Sequence, residues 1–411
     1  MSLLRYLPLL IASAAAVSAH AEPMTFDQAL ARAGANAPDL EANALRVDAA
    51  RSASRAAGAL PDPTLSLGLD NVPISGPMAG RFGDDDMTMA RVGIEQQVPS
   101  GAKRRARTDE AIAGIGVAEA QAAVGAREVR LAAAMAWLDL HYAKRRLAAL
   151  DTLSGMLAPI LETAPAAVTS GASRPGETVA PEQWRAMLAD RRSELVALAT
   201  RARAELVRWT GDPEADVEGN PPDLGIDGAA LRAGLDRHPV LLAYSASSRQ
   251  ADAAVGVARA DKQPDWGWGL SYQRRDPLFG DMVSAQVTIS LPLFAQNRQD
   301  PIIAARGSDA TRVRVEREAA RRRLLAELDG ALADHAMRHE RLARARDMLV
   351  PLAQRRADLE TASYGARTAG LTAVLDAFAA LVDAKLDLLD REAAVARDGV
   401  RLNITFGSDD Q

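Results

Sequence analysis

Cysteine is absent from the 411 residues. That absence excludes disulfides, thiolate metal sites and a lipid anchor on a cysteine, so packed surface must supply the stability. Histidine is scarce at five. There is no nucleophile elbow, no phosphate-cradling glycine loop and no histidine pair beside a general base in a turn. The chain therefore reads as a non-enzyme without a cofactor. Lysine is nearly missing: four of the 49 basic residues, in a chain of net charge −5. No basic excess exists to hold nucleic acid. Long apolar runs are lacking too. Only Leu7 to Ala19 comes near, and it falls short of the roughly 20 residues that carry a helix across a bilayer. Arg5 before it and Ala19-His20-Ala21 after it spell a signal peptide over 1–21, cut near Glu22. An exported chain without apolar helices is expected to meet a membrane through strands.

What is present is a period-two alternation, four times over. Thr64 to Asp70 sets Leu65, Leu67 and Leu69 against Ser66, Gly68 and Asp70. Ala90 to Val98 sets Ala90, Val92, Ile94 and Val98 against Arg91, Gly93, Glu95 and Gln97. Trp266 to Gln273 sets Trp266, Trp268, Leu270 and Tyr272 against Gly267, Gly269, Ser271 and Gln273. Ser284 to Leu291 sets Ala285, Val287, Ile289 and Leu291 against Ser284, Gln286, Thr288 and Ser290. Such alternation predicts strands with unlike surroundings on their two faces, at about 64–70, 89–98, 265–273 and 283–292. Leu65, Leu67, Leu69, Val92, Ile94, Trp266, Trp268, Tyr272, Val287 and Ile289 are the expected lipid-facing residues. The three aromatics among them suit an interfacial girdle; the competing reading packs the sheet on helices. Four strands cannot close a barrel, so the sheet needs further copies or a helical cover.

The chain also repeats itself at an offset of about 200 residues. Ala37-Pro38-Asp39-Leu40 opens a helical stretch that ends before Pro61, and His238-Pro239-Val240-Leu241 opens one that ends before Pro264. Val98-Pro99-Ser100-Gly101 leads into Lys103-Arg104-Arg105, and Leu291-Pro292-Leu293-Phe294 leads into Gln296-Asn297-Arg298. Two repeats, 22–227 and 228–411, each read helix, strand, loop, strand, long helix, turn, helix. The long helices, from Ala102 to about Ala164 and from about Ser308 to Ser363, would each span about 90 Å, which suits a rod rather than a globular core. Leu325, Leu328, Leu332, Leu342, Leu349 and Leu352 follow the three-four spacing of one helix seam. Pro159 and Pro351 predict kinks. The rods reverse at Ser170 to Glu177 and at Tyr364 to Gly370.

This order of elements, the Val98-Pro99 and Leu291-Pro292 steps, and Tyr364 with Val374-Leu375-Asp376-Ala377 together resemble the outer membrane efflux protein family, the TolC-like proteins. Leu60-Pro61-Asp62-Pro63-Thr64-Leu65, and Asp86-Met87-Thr88-Met89 with Lys103-Arg104, are similar to its heavy-metal cation efflux branch. The resemblance implies a mainly α fold with a small β portion. Long coiled-coil helices would form a periplasmic α-barrel, and four strands per protomer would join a trimeric, twelve-stranded outer-membrane β-barrel. It implies a homotrimer in the cell outer membrane that extends into the periplasm. Its role would be the exit duct of a tripartite pump, with a periplasmic adaptor (membrane fusion) protein, an inner-membrane transporter of the resistance–nodulation–division type, and outer-membrane lipid as partners. A periplasmic coiled-coil adaptor and an exit duct for type I secretion are the alternatives. The chain departs from the family at Arg367, where Gly is usual, at Ala373, where an acid is usual, and in a first turn without Tyr.

Asp376, Asp383, Asp387 and Asp390 step by seven, four and three along the last helix and share one face. In three copies such a stripe would make acidic rings that favour cations; the plain reading is a solvated face. The expected periplasmic gate or lumen residues are Asp376, Asp383 and Asp387, with Tyr364 and Arg367 in the turn and Arg367 pairing with Asp376. His335 and His339 sit four apart, a spacing that can chelate an ion, but their Arg-rich surroundings favour polar packing over metal. Met78, Met87 and Met89 flank Asp84-Asp85-Asp86. Thioethers can hold cuprous ion, yet an acidic external loop is expected there. The two turns are the expected adaptor-docking tips.

Overall fold

The computed structural model describes residues 23–80, 87–169 and 179–407. The signal peptide 1–21, Asp84 to Asp86 and the first turn, Ser170 to Glu177, lie outside the described residues. In chain order the elements are α1 (Phe26–Asn36), α2 (Pro38–Ala57), β1 (Thr64–Asp70), β2 (Met89–Val98), α3 (Gly101–Thr169), α4 (Ala180–Thr210), α5 (Gly228–Gly234), α6 (Pro239–Ala260), β3 (Asp265–Arg274), β4 (Met282–Ser290), α7 (Ala295–Arg344), α8 (Val350–Gly365) and α9 (Leu371–Phe406). Local chemistry sets several ends. Pro38 and Pro239 open α2 and α6, where a missing N–H is harmless. Gly211, at φ +70°, closes α4 and donates its N–H to the Val207 carbonyl at 2.8 Å. Leu291 falls past the end of β4, because Pro292 restricts it and offers no ladder donor. Pro159 lies within α3 without ending it. The second long helix starts at Ala295, earlier than expected, and carries Pro301 inside it.

The four strands form one antiparallel sheet in the order β1-β2-β3-β4. Its register stacks like on like. Leu67 pairs with Val92, Val92 with Tyr272, and Tyr272 with Val283. Leu65, Ile94, Leu270 and Ala285 form the next row. Among the described residues no strand pairs beyond β1 or β4. No described helix is long and apolar enough to cross a membrane.

Two compact units divide the chain, and each draws on both sequence repeats. One takes the chain up to Asn36, Ala132–Asp223 and Arg341–Ala396; the other takes Ala37–Leu131, Leu224–Glu340 and the chain from Arg397. In the first, Leu150, Leu153 and Leu157 of α3 meet Trp184 of α4 and Leu371, Leu375 and Leu381 of α9. Trp137 is fully buried there; its Nε1–H donates to the Met24 carbonyl at 2.9 Å, and Phe26 stands edge-on at 5.5 Å. The second unit holds the sheet. Its helical core gathers Leu235, Leu241, Ala320, Leu324, Leu328, Leu402 and Phe406.

The single leucine seam does not persist. Leu328 and Leu342 are buried, and Leu325 and Leu332 pack against a core, but Leu349 and Leu352 are exposed. A π turn at Ala345–Leu349, just before Pro351, causes the change. It inserts one extra residue, so beyond it Ala357 is the buried position and Ala353 and Tyr364, partly buried, pack against the core.

Candidate functional site

The sheet presents two faces of opposite character. On one, Leu67 is 73% exposed, Val92 47%, Trp268 41% and Val287 69%. The chain's own helices therefore leave the apolar rows uncovered, against the sheet-on-helix reading. Gln96 interrupts β2 on this face, and its amide is turned back onto the Pro61 and Gln97 carbonyls at 2.7 and 2.8 Å. Arg274 ends the β3 row opposite Ala90, one step beyond Tyr272, whose hydroxyl donates to Asp281. The other face carries Ser, Thr, Gln and Gly. Gly93 is buried there; a Cβ on it would stand 2.8 Å from Ser66 Oγ and 3.1 Å from Ser271 Cβ. A recess of about 300 Å³ opens on this face, lined by Glu95, Gln97, Gly267, Gly269, Gln286 and Thr288.

An ion triad ties the strands to the helices. Lys103, its side chain only 10% exposed, reaches Asp265 Oδ2 at 2.6 Å and Asp261 Oδ1 at 3.2 Å. Asp265 Oδ1 accepts the Ser100 N–H at 2.8 Å, and the Arg104 Nε–H donates to the Gly58 carbonyl at 2.8 Å. Burial pushes the Lys103 ammonium down, but the Asp265 and Asp261 carboxylates outweigh it and hold its pKa above the ordinary value. Lys103→Ala would strand two acids. The carboxylates keep part of their hydration, so the expected loss is about 2–3 kcal/mol, at or below the range for a fully buried pair. Thermal unfolding of the purified variant checks this, and an unchanged midpoint would show the triad to be idle. The sequence reading saw only a basic helix start here, because the nearer partner, Asp265 at 2.6 Å, lies 162 residues along the chain. A lone Lys among arginines, and an Asp opening a strand after Pro264, were the available signals.

The gate candidates separate. Tyr364 is half-buried and packs against the first unit's core. Arg367 is exposed at φ +63°, just past the end of α8, where the Thr368 N–H donates to the Ser363 carbonyl at 2.8 Å. A left-handed position of this kind suits Gly; Arg holds it at about 1–2 kcal/mol of strain. Asp376 is exposed, and neither it nor Arg367 forms an ion pair among the described residues, so the expected Arg367–Asp376 pair is not made within the chain. Asp383 lies 3.8 Å from Arg191, Asp387 lies 2.7 Å from Arg391, and Asp390 pairs with Arg146. Of the stripe, Asp376 alone has no cation within ion-pair distance among the described residues.

Residues 230–408 match the family model described as outer membrane efflux protein. No curated protein matches the chain in sequence. Solved structures share its fold. A membrane protein from Pseudomonas aeruginosa superposes with a TM-score of 0.78 at 17% identity, over 94% of this chain and 91% of that one. The CmeC outer membrane channel of Campylobacter jejuni gives 0.76 at 14% identity, over 93% and 85%. The open state of the MtrE outer membrane channel of Neisseria gonorrhoeae gives 0.74 at 16% identity, over 93% and 89%. The chain has the fold of a TolC-like outer-membrane channel.

Within this fold the histidine pair lies on α7 beside Arg338. The His335 and His339 rings are 5.5 Å apart, edge to face. Burial lowers the His335 pKa, and its Nδ1 is buried without a hydrogen-bond partner. The nearby acid, Asp398, is held by Arg338 at 2.6 Å. Among the described residues no group of three or more His, Asp or Glu is placed to hold a metal ion.

Proposed function

We propose that the protein is the outer-membrane exit duct of a tripartite efflux pump and works as a homotrimer. The observation that carries this reading is the sheet. Its apolar rows align across all four strands and stay uncovered, its opposite face is polar, and both of its edges are open. Lipid rejects open sheet edges, and three copies joined edge to edge leave none. The apolar face would then meet lipid and the polar face would line a water-filled passage. Conduction is passive. An inner-membrane transporter of the resistance–nodulation–division type supplies the energy, reached through a periplasmic adaptor that docks on the turns between the long helices. Three copies of Asp376, which is exposed, would form an acidic constriction at the periplasmic end. Heavy-metal cations are the proposed cargo, on the similarity of Leu60 to Leu65 and Asp86 to Met89 to that branch.

Fractionation and bilayer recording test the reading together. The protein should stay in outer membranes through carbonate washing and, once purified, should give ohmic conductance in planar bilayers. Release by carbonate, with no conductance, would overturn the reading in favour of a periplasmic adaptor.

A further inference from the structure

The strands carry few charges, and three of the five are neutralised. Asp70, Arg91, Glu95, Asp265 and Arg274 are the charged residues within them. Alternation puts Arg274 on the apolar face and the other four on the polar face. There, Arg91 Nε lies 3.0 Å from Asp70 Oδ2 on the adjacent strand, and Asp265 is held by Lys103. Glu95 is exposed and forms no ion pair among the described residues. The rest of the polar face is hydroxyl, amide, glycine and thioether. Its one uncompensated charge is therefore negative.

The sheet makes room for that charge. Glu95 pairs with Gly269 on β3 and with Thr64 on β1. A Cβ on Gly269 would stand only 3.3 Å from Glu95 Cγ. The Glu95 stem thus lies across a position that has no side chain, over the recess it shares with Gln97, Gln286, Thr288 and Ser290. Asp265 also lines the recess but is neutralised by Lys103, so one unpaired carboxylate is left among hydroxyl and amide groups, with no thiolate or imidazole, which suits a hydrated cation. It does not suit tight chelation of a soft metal.

We propose that Glu95 is a charge-selecting residue of the passage, a weak water-mediated cation site that favours cations over anions. The proposal rests on the trimeric-channel reading and deepens it by naming a residue of the sheet that selects permeants by charge. Three copies would place three such carboxylates at one level of the barrel. A lone carboxylate holds an ion long enough to concentrate it and weakly enough to release it, as conduction requires. Opposite-sign permeants would be repelled at the same level.

The test is the reversal potential of the purified full-length protein in planar bilayers under a tenfold KCl gradient. Wild type should prefer potassium over chloride. Glu95→Gln, of equal size, should lower that preference at least twofold, Glu95→Lys should lower it further, and Glu95→Asp should retain it. Should the Gln variant fail to insert, Glu95→Ser, which matches the neighbouring Ser66 and Ser271, reads the same loss. Conducting Gln or Ser variants with undiminished cation preference would overturn the proposal and leave the channel reading standing. Wild-type protein that forms no conducting pore would instead bring down the channel reading itself.

Discussion

Val287→Arg should leave little of the protein assembled in the outer membrane, whereas Thr288→Arg, one residue on, should assemble almost normally. Both positions are exposed in the single chain, so exposure does not separate them. Parity does. Val287 pairs with Trp268 on the apolar face, and Thr288 pairs with Gly267 on the polar one. An arginine facing lipid near the midplane costs about 2–4 kcal/mol. Threefold repetition raises that to roughly 6–12 kcal/mol per assembly, comparable to the whole stability of a domain. An arginine facing water carries no such penalty. The readout is the quantity of heat-resistant oligomer in carbonate-washed outer membranes. At least a tenfold fall is expected for Val287→Arg and less than a twofold fall for Thr288→Arg. Equal amounts of the two variants would mean that the faces do not differ in their surroundings.

Acidification from pH 7 to pH 4 should strip about 3 kcal/mol from each compact unit through one buried histidine apiece. In the first unit His141 lies flat on Trp137, ring centroids 5.1 Å apart, with Nε2 buried and unpartnered. Burial, with Arg145 and Lys144 adding repulsion, pushes it down to about 4. In the second unit His238 caps α6, its Nδ1 accepting the Val240 N–H at 3.2 Å. Burial, with Arg127 nearby, pushes it down to about 4 as well. An unfolded histidine titrates near 6.5, so the fold favours the neutral ring. The stabilisation is complete above pH 6.5 and is lost as pH falls toward 4. Helical circular dichroism melts in detergent at pH 7 and pH 4.5 provide the measurement. His141→Leu keeps the stacking surface and His238→Asn keeps a cap, so the double variant should show a much flatter dependence on pH. A slope identical to wild type would assign the acid sensitivity to the carboxylates instead.

The strands were legible because period two is dense information: in seven to ten residues it declares an element, its two faces and, once aligned, its register. Leu67, Val92 and Trp268 are where alternation put them, and uncovered. The rods were legible as helices but not in phase. One inserted residue at Ala345–Leu349 changes no composition, yet it turns Leu349 and Leu352 outward; Pro351, with its missing N–H, was the only nearby cue. Charges were the hardest to read. The acidic stripe on α9 looked uniform, but two of its members face arginines from elsewhere, Asp383 facing Arg191 of α4 and Asp390 facing Arg146 of α3, and a third, Asp387, pairs with Arg391 on α9 itself. A stripe shows which residues share a side, not what stands across from it. Glu95 escaped notice for the opposite reason: it is one polar letter among several in β2, and only the pairing of Arg91 with Asp70 and of Asp265 with Lys103 leaves it conspicuous.

The bare margins of the sheet have a kinetic consequence. Backbone amides along β1 and β4 have nothing to bind in hydrocarbon, where each orphaned group carries a heavy penalty. On the trimeric-channel reading, a solitary chain would be kept at the water side until companions arrive, and encounter between molecules, rather than the collapse of any one of them, would set the pace of insertion.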